Sequence, residues 1–390
     1  MRGRKRGGTL SKELKKVGII TLNGYYNYGN KLQNYALQEV IKELGFTVST
    51  IIIKDINTKQ KYNLKDRIII KTNKLTKNNL EYITKKIYNK ICNHIYKDSI
   101  DERTKTFRCF SKKYLNEISW YSNDNGLRKL ANIYDYFVTG SDQVWNPVNQ
   151  HGNSVYFLTF APQHKRIAYA PSFGVSDIKS EYRENYKEWI SEIHRLSVRE
   201  DDGAKIIKAL TGRDALVLVD PTLLLTKEKW LSVAKEANNK PKDKYLLTYF
   251  LGGISNKYKK QIKMLAKDNN LEVVNLGNIR EKETFMTGPS EFIDYINSCS
   301  LLCTDSFHGA VFSMLMEKPF IVYERIGASL SMFSRIDTLL SKFKLESRKV
   351  ENIINSEEAF DIDYSHVPSA LEEERDIALS YLKEALNVKE

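Results

Sequence analysis

Ser306-Phe307-His308-Gly309 stands between two apolar runs, Leu301-Leu302-Cys303-Thr304-Asp305 and Ala310-Val311-Phe312-Ser313-Met314-Leu315-Met316. The pattern predicts a strand, a tight polar turn and a buried helix, with a histidine at the junction. Ligands of open α/β folds gather at the carboxyl ends of strands, and the amides of a helix N-terminus hold anions. Ser306 and Gly309 would supply such amides, and the imidazole of His308 is a group that exchanges protons near neutral pH. The competing reading of His308 is a core or capping residue.

Similar polar clusters follow other apolar runs. Gly140-Ser141-Asp142-Gln143-Val144-Trp145-Asn146-Pro147 puts an acid, an amide and an aromatic ring in one turn. Asp142 is a candidate base or hydroxyl-positioning group, Gln143 a polar ligand, and Trp145 either a stacking face for a sugar or a buried staple. Arg199 follows Ser197-Val198, where its fork would meet a carboxylate or phosphate unless Glu200 or Asp202 holds it. Arg325 and Arg335 follow an apolar run over 320–323 and are candidates for a second anion, the alternative being surface ion pairs. Asn27 and Asn30, in the turn after the first apolar run, suit a sugar or an oxyanion, or cap a helix. G-x-G-x-x-G, the P-loop, G-x-S-x-G and His-x-x-x-His are all missing from the sequence. Dinucleotide, nucleotide-phosphate, serine-hydrolase and zinc readings are therefore unsupported, and neither cofactor nor metal is expected.

Strand and helix patterns alternate along the whole chain and must position these groups. Strands are predicted at 17–22, 46–53, 136–139, 167–170, 196–198 and 216–219, then at 245–250, 271–276, 301–304 and 320–323. Helices are predicted over 31–44, 227–236, 257–267, 289–298 and 369–386. Two such halves imply an α/β protein with two Rossmann-like domains facing a cleft. The expected division is a basic tail at 1–16, an N-terminal domain at 17–237 carrying a basic helical insertion over about 54–128, and a C-terminal domain at 238–390 whose last helix packs back.

The chain has 390 residues, 42% of them hydrophobic, and a net charge of +13. That length calls for more than one core. The charge suggests an anionic partner, although a Lys-, Asn- and Ile-rich composition also produces it. No apolar stretch approaches the ~20 residues that span a bilayer, and the N-terminus lacks the apolar core of a signal peptide, so a cytoplasmic protein is expected. Lysines among Ile, Leu and Tyr over 54–113 suggest peripheral contact with an anionic membrane or a solvated helical face. Cys92, Cys109, Cys299 and Cys303 show no C-x-x-C spacing and read as free thiols.

Several turns together carry a family resemblance. They are Asn27-Tyr28-Gly29-Asn30 with Leu32-Gln33 and Tyr35-Ala36-Leu37, the turn 140–147, Tyr169-Ala170-Pro171-Ser172-Phe173-Gly174, Ser197-Val198-Arg199-Glu200, Asp220-Pro221-Thr222, and Ser306-Phe307-His308-Gly309 with Glu317-Lys318-Pro319. In order and spacing these resemble the polysaccharide pyruvyl transferase family over about 17–340, the stretch 54–113 excepted.

The resemblance implies a glycosyltransferase-B type of fold. It also implies transfer of the pyruvyl group of phosphoenolpyruvate onto two hydroxyls of a sugar, forming a cyclic ketal in a bacterial cell-surface polysaccharide or its lipid-linked precursor. On that reading His308 and Asp142 are catalytic. Arg199, Ser306, Gly309, Arg325 and Arg335 bind the donor, while Asn27, Asn30, Gln143 and Trp145 bind the acceptor. Many members of the family have Asp where this chain has Asn30, and an amide cannot act as a general base. Partners would be phosphoenolpyruvate and a sugar acceptor, not nucleic acid. The rival readings are a nucleotide-sugar glycosyltransferase on the same fold and a noncatalytic carbohydrate-binding protein.

Overall fold

The computed structural model describes residues 14–54, 94–121, 124–150, 152–325 and 333–388. Residues 1–13 of the expected basic tail and 55–93 of the expected insertion lie outside them.

Five strands, β1 (Lys16–Ile20), β2 (Thr47–Lys54), β3 (Glu117–Tyr121), β4 (Tyr136–Thr139) and β5 (Arg166–Ala168), form a parallel sheet in the order β3-β2-β1-β4-β5. β6 (Ser197–Val198) and β7 (Leu216–Val217) pair beyond β5, which a bridge between Ile167 and Arg195 continues toward them. A second parallel sheet holds β8 (Tyr245–Tyr249), β9 (Glu272–Leu276), β10 (Leu301–Thr304) and β11 (Phe320–Val322) in the order β11-β10-β8-β9. Parallel strands need crossover connections and cover on both faces. Accordingly β4, β8 and β10 are buried along their whole length. The result is the mixed α/β, Rossmann-like architecture with two main parallel sheets that the alternation of strands and helices leads one to expect.

The insertion expected up to residue 128 ends earlier. Residues Glu117–Tyr121 pair with β2 from Thr50 opposite Glu117 to Lys54 opposite Tyr121. Only Ile118 and Trp120 of this edge strand pack against apolar neighbours, so it lacks the continuous apolar run of its central companions.

In the first sheet the order reverses between β1 and β4, and in the second between β8 and β10. Such switch points leave a crevice at the carboxyl ends of the strands. The turns carrying Asp142 and His308 follow β4 and β10 directly, so both sheets deliver polar residues to that position.

Six helices matter for the site: α1 (Tyr28–Glu43), α2 (Lys97–Tyr114), α3 (Pro289–Ser298), α4 (Phe307–Leu315), α5 (Ser334–Lys342) and α6 (Val367–Ala385). α1 begins three residues before its expected start at 31, because Asn27 caps it by accepting from the Gly29 amide at 2.9 Å. Gly29 and Asn30 therefore belong to a rigid first turn of helix.

One continuous core joins the two sheets and includes Val17, Leu32, Leu247, Phe292 and Leu302. At its centre the Tyr28 ring stacks on Phe292 at 4.4 Å and on Phe107 at 5.4 Å. Arg103 of α2 lies over Tyr28 and Phe285 and donates to the Tyr28 hydroxyl and to the carbonyls of Tyr26 and Phe285. Helix α6 returns to the first half, where Tyr381 donates to the Ala168 carbonyl and Arg375 to those of Leu223 and Leu225.

Candidate active site

Asp220 is the hub. It follows the apolar pair Leu218-Val219 and starts a short 3-10 turn, Pro221–Leu224, by accepting with Oδ1 from the amide and hydroxyl of Thr222 at 3.0 and 2.7 Å. Its Oδ2 accepts from Arg199 Nη1 at 2.6 Å and from the Ser141 hydroxyl at 2.7 Å, and lies 3.5 Å from His308 Nε2. Complete burial works to raise its carboxyl. The imidazole of His308, the Arg199 guanidinium and the Thr222 amide overcome this and hold it well below the usual carboxylate range.

His308 sits in the first turn of α4, whose N-cap is Ser306. Its Nε2 is buried and has no hydrogen-bond partner among the described residues. The other edge of the ring abuts α1: a Cβ added at Gly29 would fall 2.0 Å from His308 Nδ1. Only glycine allows the α1 backbone to come this close.

Asp142 takes a positive φ of 75° at the end of β4. Its Oδ1 accepts from the Gln143 amide at 2.8 Å, its other oxygen from the Asn30 side chain, and Arg199 Nη2 is 3.6 Å away. Asn30 thus holds the acid, a task that its amide can perform without being a base.

Arg199 and Arg335 approach the ring of Phe307 at 4.4 and 5.9 Å. Arg335, on α5, is 4% exposed and forms no ion pair among the described residues. With the Gln143 amide oxygen turned toward it, both terminal nitrogens donate to that oxygen at 3.1 Å, and Nε is left without a partner. Burial, reinforced by repulsion from Arg199, pushes Arg335 down to about 9. A buried guanidinium whose only described acceptor is neutral is costly unless a ligand supplies the missing anion.

Arg325 differs from the expectation of a donor anchor. Its Nε donates to Asp305 Oδ2 at 3.0 Å and its Nη2 to the Asp305 carbonyl, while the same carboxylate accepts from the amides of Leu251 and Gly252. It therefore ties together the ends of β8 and β10. Ser306 and Gly309 are likewise structural: the Ser306 hydroxyl accepts from the Gly309 amide, and a Cβ at Gly309 would meet Thr304 Oγ1 at 2.7 Å.

One expected acceptor ligand is corrected. Trp145 is fully buried, stacked on Phe157 at 5.0 Å, with its indole donating to the Tyr156 carbonyl, so no ring face is left for a sugar. Asn27 serves as the α1 cap. Gln143 and Asn30 do lie in the cluster, as supports of Arg335 and Asp142. Asp220, Ser141, Phe307 and Gly29 are the members that site assignment from sequence leaves out. For Asp220 a signal existed, since an acid at the end of an apolar run and before Pro221 has the same placing as Asp142 and Asp305.

The arrangement offers two buried guanidinium groups, an imidazole nitrogen 3.5 Å from the Asp220 carboxylate, and a second carboxylate braced by Asn30. In overall fold the chain is similar to a putative UDP-N-acetylglucosamine 2-epimerase from Listeria monocytogenes, at 12% identity over 94% of this chain and 91% of that one, with a TM-score of 0.47. It is also similar to the S. aureus MnaA–UDP complex, at 12% identity over 96% and 98%, TM-score 0.47. A third similar structure is the N-terminal domain of a Candida albicans trehalose-6-phosphate phosphatase, at 12% identity over 99% of both, TM-score 0.46. No curated protein matches the chain in sequence. The family model of polysaccharide pyruvyl transferases, by contrast, matches residues 27–325, from the α1 cap to Arg325 and so across every member of the cluster except Arg335. On that match over most of its length, the chain belongs to the polysaccharide pyruvyl transferase family and is a transferase.

Proposed function

We propose that the protein transfers the pyruvyl group of phosphoenolpyruvate onto two hydroxyls of a sugar, using no further cofactor, and that Arg199 and Arg335 hold the donor's carboxylate and phosphate. The observation that carries this reading is Arg335, a buried cation that forms no ion pair among the described residues and lies 5.9 Å from the Phe307 ring that Arg199 also covers. An anionic donor would pair with Arg335 and with the Nε and Nη2 of Arg199, which have no hydrogen-bond partner among the described residues, and two guanidinium forks suit a molecule with two anionic groups.

In the proposed reaction His308 Nε2 delivers a proton to the methylene carbon, leaving cationic character on C2. A sugar hydroxyl oxygen bonds to C2 and gives its proton to Asp142. The bond from C2 to the phosphate oxygen then breaks, and a second hydroxyl closes the ketal on the same carbon. Of the two hydroxyl protons released, one replaces that taken up at carbon and the other leaves with the phosphate. Proton transfers of this kind contribute roughly 10²–10⁴-fold each. The acceptor in this reading belongs to a cell-surface polysaccharide or its lipid-linked precursor, and the charge of +13 would draw the protein to an anionic membrane face. Among the described residues no helix is long and apolar enough to cross a membrane.

Phosphate release measured with purified protein, phosphoenolpyruvate and a panel of glycosides tests the proposal. Release requiring both substrates, and reduced at least about 100-fold in His308→Ala, is expected. Turnover of nucleotide sugars with no use of phosphoenolpyruvate would replace it with the glycosyltransferase reading.

A further inference from the structure

A cavity of about 340 Å³ opens at the carboxyl ends of β1 and β2, with Thr21, Asn23, Ile51, Ile52, Asn153 and Tyr156 in its lining. We infer that it is the subsite for an uncharged sugar ring, with Tyr156 and the isoleucines under the ring's C–H face and Asn23 and Asn153 at its hydroxyls. The inference rests on the reading of the reaction given above.

The lining carries no formal charge, although the protein as a whole has a net charge of +13. The larger cavity of about 820 Å³ is different, with Lys257, Glu324, Asp337, Lys349 and Glu351 among its lining residues. A neutral cavity of apolar floor and amide groups discriminates against phosphates and suits a hexose, whose ring has apolar faces and a polar rim.

The cavity is also built rather than incidental. Asn23 is fixed at both ends of its amide, accepting from the buried Lys31 ammonium at 2.6 Å and donating to Glu117 at 2.7 Å. The Tyr156 backbone is pinned by the Trp145 indole at 3.0 Å, and Asn153 accepts from the Val155 amide. Trp145 thus acts one step removed, holding in place a half-buried aromatic that can face a ligand. The cavity shares a wall with the reaction centre: Thr21 donates to the Ser141 carbonyl at 2.9 Å, and the Ser141 hydroxyl donates to Asp220. A sugar lying there would present hydroxyls toward the turn that holds Asp142.

The test uses the full chain and p-nitrophenyl glycosides of glucose, galactose, N-acetylglucosamine and N-acetylmannosamine, with binding read by saturation-transfer NMR in the absence of any donor. Wild type is expected to bind at least one glycoside saturably. Tyr156→Ala, which removes the ring, and Ile52→Trp, which fills the cavity, should each weaken that binding at least about ten-fold, with Tyr156→Phe unchanged. In phosphoenolpyruvate-dependent phosphate release the acceptor KM of Tyr156→Ala should rise to the same extent, with the KM for phosphoenolpyruvate unaltered. No saturable binding by wild type, or equal binding by wild type and Ile52→Trp, overturns the assignment. Binding that the two variants lose, together with no phosphoenolpyruvate-dependent release by wild type, keeps the sugar subsite and rejects the donor instead.

Discussion

At the scale of single residues the site gathers buried charges: Arg199 pairs with Asp220 and Asp142, and Arg335 forms no ion pair among the described residues. Arg335 is buried against the repulsion of Arg199, so replacing it with an apolar side chain of similar length removes a cost. Arg335→Met is expected to leave the unliganded protein as stable as wild type or up to ~2 kcal/mol more stable in urea unfolding. The same variant should raise the KM for phosphoenolpyruvate at least ~10-fold. Asp220 gives the opposite sign. Its folded-state carboxyl lies well below the unfolded value of about 3.9, so it contributes stability above that pH and loses it as the pH falls toward its own value. Unfolding free energy measured from pH 5 to pH 2 should therefore fall less steeply in Asp220→Asn than in wild type. His308, Arg199 and Asp142 were legible in the sequence because each directly follows an apolar strand. Arg335 lies more than ten residues beyond β11, and only folding shows that it is buried with no ion pair among the described residues. Trp145 misleads because a tryptophan in a turn suits a ligand face or a core staple equally well, and its indole hydrogen bond decides for the core.

Among the elements, the first turn of α1 braces the cluster from the first half of the chain. Read from sequence, Gly29 and Asn30 belong to a loop, since glycine and asparagine are poor helix formers. The Asn27 cap draws them into the helix, where Gly29 touches the His308 ring and Asn30 holds Asp142. Gly29→Ala should lower kcat at least ~10-fold with unchanged far-ultraviolet circular dichroism, because its methyl group must push the imidazole aside. Gly24→Ala serves as the control: its Cβ meets only the end of the Asn30 side chain, at 3.3 Å, and a much smaller loss is expected. The parallel strands were readable from their apolar runs, whereas β3 was not, being an edge strand with alternating exposure.

Across the whole molecule, one core spans the two sheets, and α2 contributes to it. Its many lysines make it resemble a solvated surface helix, yet Arg103, Phe107 and Phe110 form a buried stripe at helical spacing. Arg103 bonds groups on both halves, and Arg103→Ala leaves a tyrosine hydroxyl and several carbonyls short of a donor. A loss of about 2–4 kcal/mol is expected, seen in calorimetry as a lower melting temperature. The alternation of strands and helices made this two-sheet architecture legible, but the contacts across it arise from residues far apart in sequence and have no local signal. In the proposed reaction the carbon that changes partners in the crevice is C2 of phosphoenolpyruvate. Phosphoenolpyruvate labelled with ¹³C at C2, incubated with the protein and a glycoside acceptor, tests this most directly by NMR. The enol carbon signal is expected to be replaced by a ketal carbon signal in step with phosphate release, in wild type and not in His308→Ala. Labelled phosphoenolpyruvate recovered unchanged while the glycoside is modified from another donor would contradict it.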